Sequence, residues 1–148
     1  MSQLEKTLLL NQDAVAKILQ FKDLKETEIY PLDLSVNNKE LDTYSILDTE
    51  TLSRYINLKL EENNCKIAMG GYAEDRVIYK KSTHFGSGEN VRSIHLGVDI
   101  WCSEYTNVYA PFDSVVHSFK VNDNFGDYGP TLILRHELND TVFFTLYG

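Results

Sequence analysis

The apolar positions of this chain change their rhythm part-way along it. From Asn11 to Lys22, Val15, Ile18 and Leu19 recur at helical spacing and Asn11 can cap the first turn, which predicts a short amphipathic helix. Between Glu28 and Asn38 the rhythm is lost. Pro31 cannot continue a helix, and Asp33, Ser35, Asn37 and Asn38 favour turns, so a connector of extended or irregular chain is expected. A second helix follows. Asp48 caps it, and Leu52, Tyr55, Ile56 and Leu60 build one apolar face with Arg54, Asn57, Glu61 and Glu62 outside, ending near Asn63 and Asn64.

From Ile67 onward, glycines, β-branched residues and aromatics take over, and the pattern becomes that of strands. The best of them run from Asn107 to Ala110, Ser114 to Val121, Thr131 to His136 and Thr141 to Tyr147. Short turn-forming segments separate them: Pro111-Phe112-Asp113, Asn122 to Gly126, and Leu138-Asn139-Asp140. Such spacings favour antiparallel hairpins. Strict alternation over Ser114 to Val121 sets Val115, His117 and Phe119 on one face and Val116, Ser118 and Lys120 on the other. The last strand, Val142 to Tyr147, is strongly apolar, and an apolar edge strand is an aggregation hazard, so a continuation beyond Gly148 is expected. The fold class is therefore α+β, with a helical leader over residues 1–65 and a mainly antiparallel β domain over 66–148 whose C-terminal part is missing.

Composition narrows the partners. With 148 residues, 43% hydrophobic and 24% charged, the chain has the size of one ordinary domain with an appendage and can bury a core. A formal net charge of -8 without a basic cluster argues against nucleic acid or an anionic membrane surface as partner. No window reaches the length of a membrane span, and the Leu8-Leu9-Leu10 run is too brief for a secretory signal. The sequence thus places the chain in the cytoplasm, or in the cell envelope if another route exports it. Cys65 and Cys102 stand alone, outside any metal spacing, and read as two reduced thiols.

The chemistry concentrates in Arg92-Ser93-Ile94-His95-Leu96-Gly97-Val98-Asp99-Ile100-Trp101. In a straight strand, residues four apart share a face but lie roughly 13 Å from each other, too far to hold one ion. Gly97 sits between them, where a missing side chain permits a bend that brings imidazole and carboxylate within roughly 2 Å of a metal. About 0.3 such pairs arise by accident in a chain like this, so alone the pair reads as a hydrogen-bonded histidine and a turn aspartate.

Its neighbours change that reading. Gly70-Gly71-Tyr72, Arg76, Tyr79, Ser82 and Phe85 precede it, and Val108 to Asp113, Gly126 to Pro130 and Thr145-Leu146-Tyr147-Gly148 follow in order. Over roughly residues 66 to 148 this string resembles the lysostaphin-type (LytM-like) zinc metallopeptidases, metallopeptidase family 23. The resemblance implies a LytM-like antiparallel fold (the duplicated hybrid motif) with a groove, a zinc ion, and hydrolysis of peptide bonds in bacterial cell-wall peptidoglycan. It makes His95 the first zinc ligand and Asp99 the second. The family's remaining parts, a histidine directly after a Leu-Tyr-Gly-like segment and a later His-x-His that supplies the third ligand, are expected after Gly148. Because those catalytic histidines are absent from these 148 residues, the alternative is a non-catalytic LytM-like binding or regulatory domain for peptidoglycan or a partner enzyme.

Other residues carry weaker signals. Arg92 could bind a substrate carboxylate bidentately, although a structural ion pair is the simpler reading. His117, alternating with Val115 and Phe119, reads as a core histidine, and His136 as a surface or hydrogen-bonded one. His84 lies in a loop expected to be solvated. Trp101 and Tyr109 read as core residues, Glu74 and Asp75 as an exposed turn, and Gly126-Asp127-Tyr128-Gly129 as a hairpin turn rather than a phosphate loop. No serine occupies a nucleophile-elbow pattern.

Overall fold

A computed structural model describes residues 1–21, 23–42, 48–76, 93–123 and 127–148. The described residues form an α+β chain with mostly antiparallel sheets, organised as two compact units: Met1–Gln20 with Asn107–Gly148, and Phe21–Thr106. The expected boundary at 65/66 falls inside the second unit, because the helix before it and the strand after it share one core.

The first unit opens with helix α1, Gln3–Leu10, and here the sequence reading is corrected. Ser2 and Glu5 close a capping box on each other's backbone N–H groups, so the first helix lies upstream of the expected one, and Asn11 ends it instead of beginning one. After a single 3-10 turn at Gln12–Ala14 the chain is extended. Ala16 N–H donates to the Pro111 carbonyl, Tyr109 N–H donates to the Ile18 carbonyl, and Leu19 bridges Val108. The apolar residues Val15, Ile18 and Leu19 thus line an extended segment, and the strand expected at Asn107 to Ala110 reduces to that one bridge.

To list the strands of both units in chain order, β1 is Ile29–Leu32, β2 Ile67–Gly70, β3 Glu74–Asp75, β4 Ile94–His95 and β5 Ile100–Trp101; β6 is Ser114–Asn122, β7 Gly129–Leu138 and β8 Thr141–Tyr147. The last three form the antiparallel sheet β6-β7-β8 of the first unit. Asn139 and Asp140 both adopt positive φ, at 47° and 61°, which is the two-residue turn whose twist suits a hairpin. In β6 the register slips between Val116 and Ser118, a bulge that breaks the expected alternation. Val115 therefore lies opposite Arg135 and Phe119 opposite Leu132, on different faces of the sheet.

The second unit is built on helix α2, Thr49–Glu62, where Asp48 accepts from Thr51 N–H at 2.8 Å as the sequence predicts. Its face buries Tyr55 and Ile56 against Leu32, Leu34, Leu41 and Ala68, with Leu52, Leu60 and Trp101 packed around them. Full burial of a Leu or Ile side chain such as Leu41 or Ile56 contributes roughly 1.5–3 kcal/mol. The polar tip of Tyr55 donates to Glu40 and accepts from Asn38, both at 3.1 Å, so its burial leaves the hydroxyl satisfied. The expected connector becomes β1, pairing in parallel with β2, while β5 pairs antiparallel on the other side of β2. Pro31 is tolerated because β1 ends the order β1-β2-β5.

Candidate metal centre

Two short antiparallel pairings set the site. β3 pairs antiparallel with β4 so that Glu74 lies opposite His95, and β5 returns along β2 so that Met69 lies opposite Ile100. Asp99, one residue before β5, is held by its carbonyl, which accepts from Gly70 N–H at 2.9 Å. Between the strands the chain bends at Gly97, and His95 Nε2 comes to 3.5 Å from Asp99 Oδ1. The bend that the sequence requires is therefore present. Gly97 contributes through space as well: a Cβ there would stand 2.9 Å from His95 Nε2, inside the volume that the imidazole occupies.

The separation is informative. It exceeds the roughly 2.7–3.2 Å of a good N–H···O hydrogen bond. Two ligands each about 2.0–2.1 Å from a tetrahedral zinc stand about 3.3 Å apart. His95 Nε2 is also shielded from solvent, and burial, followed by the charge of Arg76, pushes its pKa below the ordinary histidine value, against the opposing pull of Asp99 and Glu74. A neutral imidazole is the form that donates a lone pair to a metal. The spacing and the neutral ring are compatible with two ligands of one zinc ion, and the same 3.5 Å lies within the range of a His–Asp ion pair.

A third and fourth residue complete the cluster. Arg76 is buried, its Nε donates to Glu74 Oε2 at 2.9 Å, and its Nη1 pairs with Asp99 Oδ2. Glu74 accepts in turn from Leu34 N–H at 3.0 Å. The exposed turn expected at Glu74 and Asp75 is thus corrected: these residues form a strand, and the Glu74 side chain is only 8% exposed because it carries the Arg76 guanidinium. Among the described residues, two carboxylates, Glu74 and Asp99, flank the one guanidinium of Arg76. Among the described residues, no group of three or more His, Cys, Asp and Glu is placed to hold a metal ion.

The other histidines are differently placed. His136 lies in the first unit, 1% exposed, stacked on Phe143 with ring centroids 4.8 Å apart. The Asp113 carbonyl, 3.2 Å from Nδ1, can only accept, so Nδ1 carries a proton; Nε2 lies 2.8 Å from the Thr145 hydroxyl. Both ring nitrogens are therefore engaged, and the hydrogen-bonded reading is the one that the structure bears out. His117 departs from the expected core position: β6 is exposed on both faces from Ser114 to Val121, and the ring lies beside Ser118 Oγ and edge-on to Phe144. Trp101 is half-buried against the core, Tyr109 is exposed and not the core residue that the sequence predicts, and Cys65 and Cys102 are free thiols. Arg92 and His84 lie outside the described residues. Sequence reasoning placed Arg76 only within the motif string and Glu74 in a turn, although their i, i+2 spacing is that of residues sharing a face in extended chain.

No protein family, no curated protein and no solved structure matches this chain. No helix among the described residues is long and apolar enough to cross a membrane.

Proposed function

We propose that the chain carries part of the zinc site of a LytM-like metallopeptidase acting on the peptides of bacterial cell-wall peptidoglycan, with His95 and Asp99 as two of the ligands. The observation that supports it is the 3.5 Å approach of His95 Nε2 to Asp99 Oδ1 across Gly97, the spacing of two ligands on one tetrahedral ion. When bound, zinc supplies polarisation of the scissile carbonyl and an acidified water. The chain's own residues supply the neutral imidazole, the carboxylate and a buried counter-charge network that fixes their geometry. The resemblance assigns the third ligand and the catalytic histidine to motifs that these 148 residues do not contain.

Zinc titration of the metal-free chain, alongside H95A and D99N, tests the ligands; peptidase assays on the chain and on a C-terminally extended gene product test the reaction. Zinc bound by the native chain and lost in H95A is expected, with cleavage of cross-linked cell-wall peptides by the extended product. An extended product with neither zinc nor cleavage sinks the enzyme reading. A second reading is a LytM-like domain that binds peptidoglycan or a partner enzyme without cleaving; what supports it is that the family's two further histidine motifs do not occur in these 148 residues. Saturable binding of cell-wall peptides that H95A leaves unchanged, without cleavage, distinguishes it.

A further inference from the structure

We infer that Arg76, carried by Glu74, is the positioning residue that presents Asp99 to a divalent cation as a one-oxygen ligand; the inference rests on the metal reading of His95 and Asp99. A free aspartate can rotate about its last torsion and offer either oxygen, or both, to an ion. Here the two oxygens are distinguished. Oδ2 is held by Arg76 Nη1, and Oδ1 faces His95 Nε2. The guanidinium is itself fixed from the far side, because Nε donates to Glu74 Oε2 while the other Glu74 oxygen accepts from Leu34 N–H. A planar fork can span two carboxylates in this way, whereas an ammonium is a point charge on a flexible stem.

Space for the fork is built into the backbone. A Cβ on Gly70 would stand 3.2 Å from Arg76 Nη2 and 3.9 Å from Asp99 Cβ, so the glycine leaves room for the guanidinium beside the carboxylate. Arg76 N–H donates to the Ser93 carbonyl at 2.9 Å, tying the residue to the strand that carries His95. Glu74 also has an electrostatic part. It offsets the positive charge of Arg76, which alone would repel a cation a few ångströms away. The cluster thus sets direction and charge together.

The test titrates the metal-free native chain, R76K, E74Q and H95A with Zn²⁺ by chelator competition, and with Co²⁺ by its visible absorption. R76K keeps the charge but not the fork. E74Q is isosteric, and its amide oxygen still accepts from Leu34 N–H, so it remains decisive if R76K fails to fold. The expected result is zinc binding by the native chain, loss in H95A, and roughly 10–100-fold weaker binding in R76K and E74Q. An altered Co²⁺ band in the folded variants is also expected, as Asp99 changes how it meets the ion. Native zinc affinity and an unchanged Co²⁺ band in folded R76K or E74Q, with H95A still defective, overturn the positioning role alone. A native chain that binds neither ion overturns the metal reading and this inference with it.

Discussion

His95 and His136 are both withdrawn from solvent, yet they occupy opposite chemical surroundings. His136 sits among neutral partners in the β6-β7-β8 sheet, with a carbonyl on one nitrogen, a hydroxyl near the other and a phenyl ring beneath. His95 sits within reach of an aspartate, with an arginine and a glutamate completing the cluster. The first arrangement uses up the ring's hydrogen-bonding capacity and holds two strands together; the second holds a ring nitrogen beside a carboxylate oxygen at the distance of two ligands. Burial of a histidine is therefore uninformative until its partners are named.

The strongest way to break this contrast is to remove each ring in turn. H95A is expected to lower zinc affinity by 100-fold or more, about 2.7 kcal/mol, whereas H136A leaves zinc affinity unchanged, both measured by calorimetric titration. Equal zinc affinities in the two variants would erase the distinction. Conversely, H136A is expected to cost about 2–3 kcal/mol of stability in chemical denaturation, since it leaves a cavity and strips the Asp113 carbonyl and Thr145 hydroxyl of a buried partner. A native-like denaturation midpoint for H136A would show that the neutral network contributes little.

A smaller change sharpens the role of space. G97A puts a methyl group where the imidazole lies, and zinc affinity is expected to fall about tenfold, near 1.4 kcal/mol, while the fold persists. Unchanged affinity would mean that the ring can shift without losing its partner. The smallest effect is in pH. The folded pKa of His95 is lowered, so the folded chain binds fewer protons than the unfolded one. Its contribution to stability is complete above the unfolded value near 6.5 and is lost as pH falls through the folded value. Denaturation of the metal-free chain across that interval should show the slope, and H95A should flatten it; the same slope in H95A would assign it to another group.

How much of this was legible in the sequence follows the range of each interaction. Asp48 and the apolar face of α2 act within a few residues, and both were readable. So were the Asn139-Asp140 turn and the need for Gly97. The Ser2-x-x-Glu5 capping box was equally local, yet Val15, Ile18 and Leu19 carried a helical spacing that extended pairing with residues 108–111 overrides. The β6 bulge was not readable, because one extra residue against β7 leaves no mark on the alternation itself. The Glu74–Arg76–Asp99 chain of ion pairs depends on β3 and β5 being brought together by other strands, and charge spacing alone assigned Glu74 to solvent.

That dependence has a consequence for timing. His95 and Asp99 are four residues apart and can meet as soon as the bend between them forms, a loop closure on the scale of nanoseconds. Their stiffening network waits for Leu34, whose N–H reaches Glu74 across 40 residues of chain. During synthesis the bracing residues emerge first, but their long-range closure is slower than the local bend, so a soft version of the pair can exist before its frame has closed. The approach of the two side chains is thus set by their own short segment, and only its stiffness is borrowed from residues far along the chain.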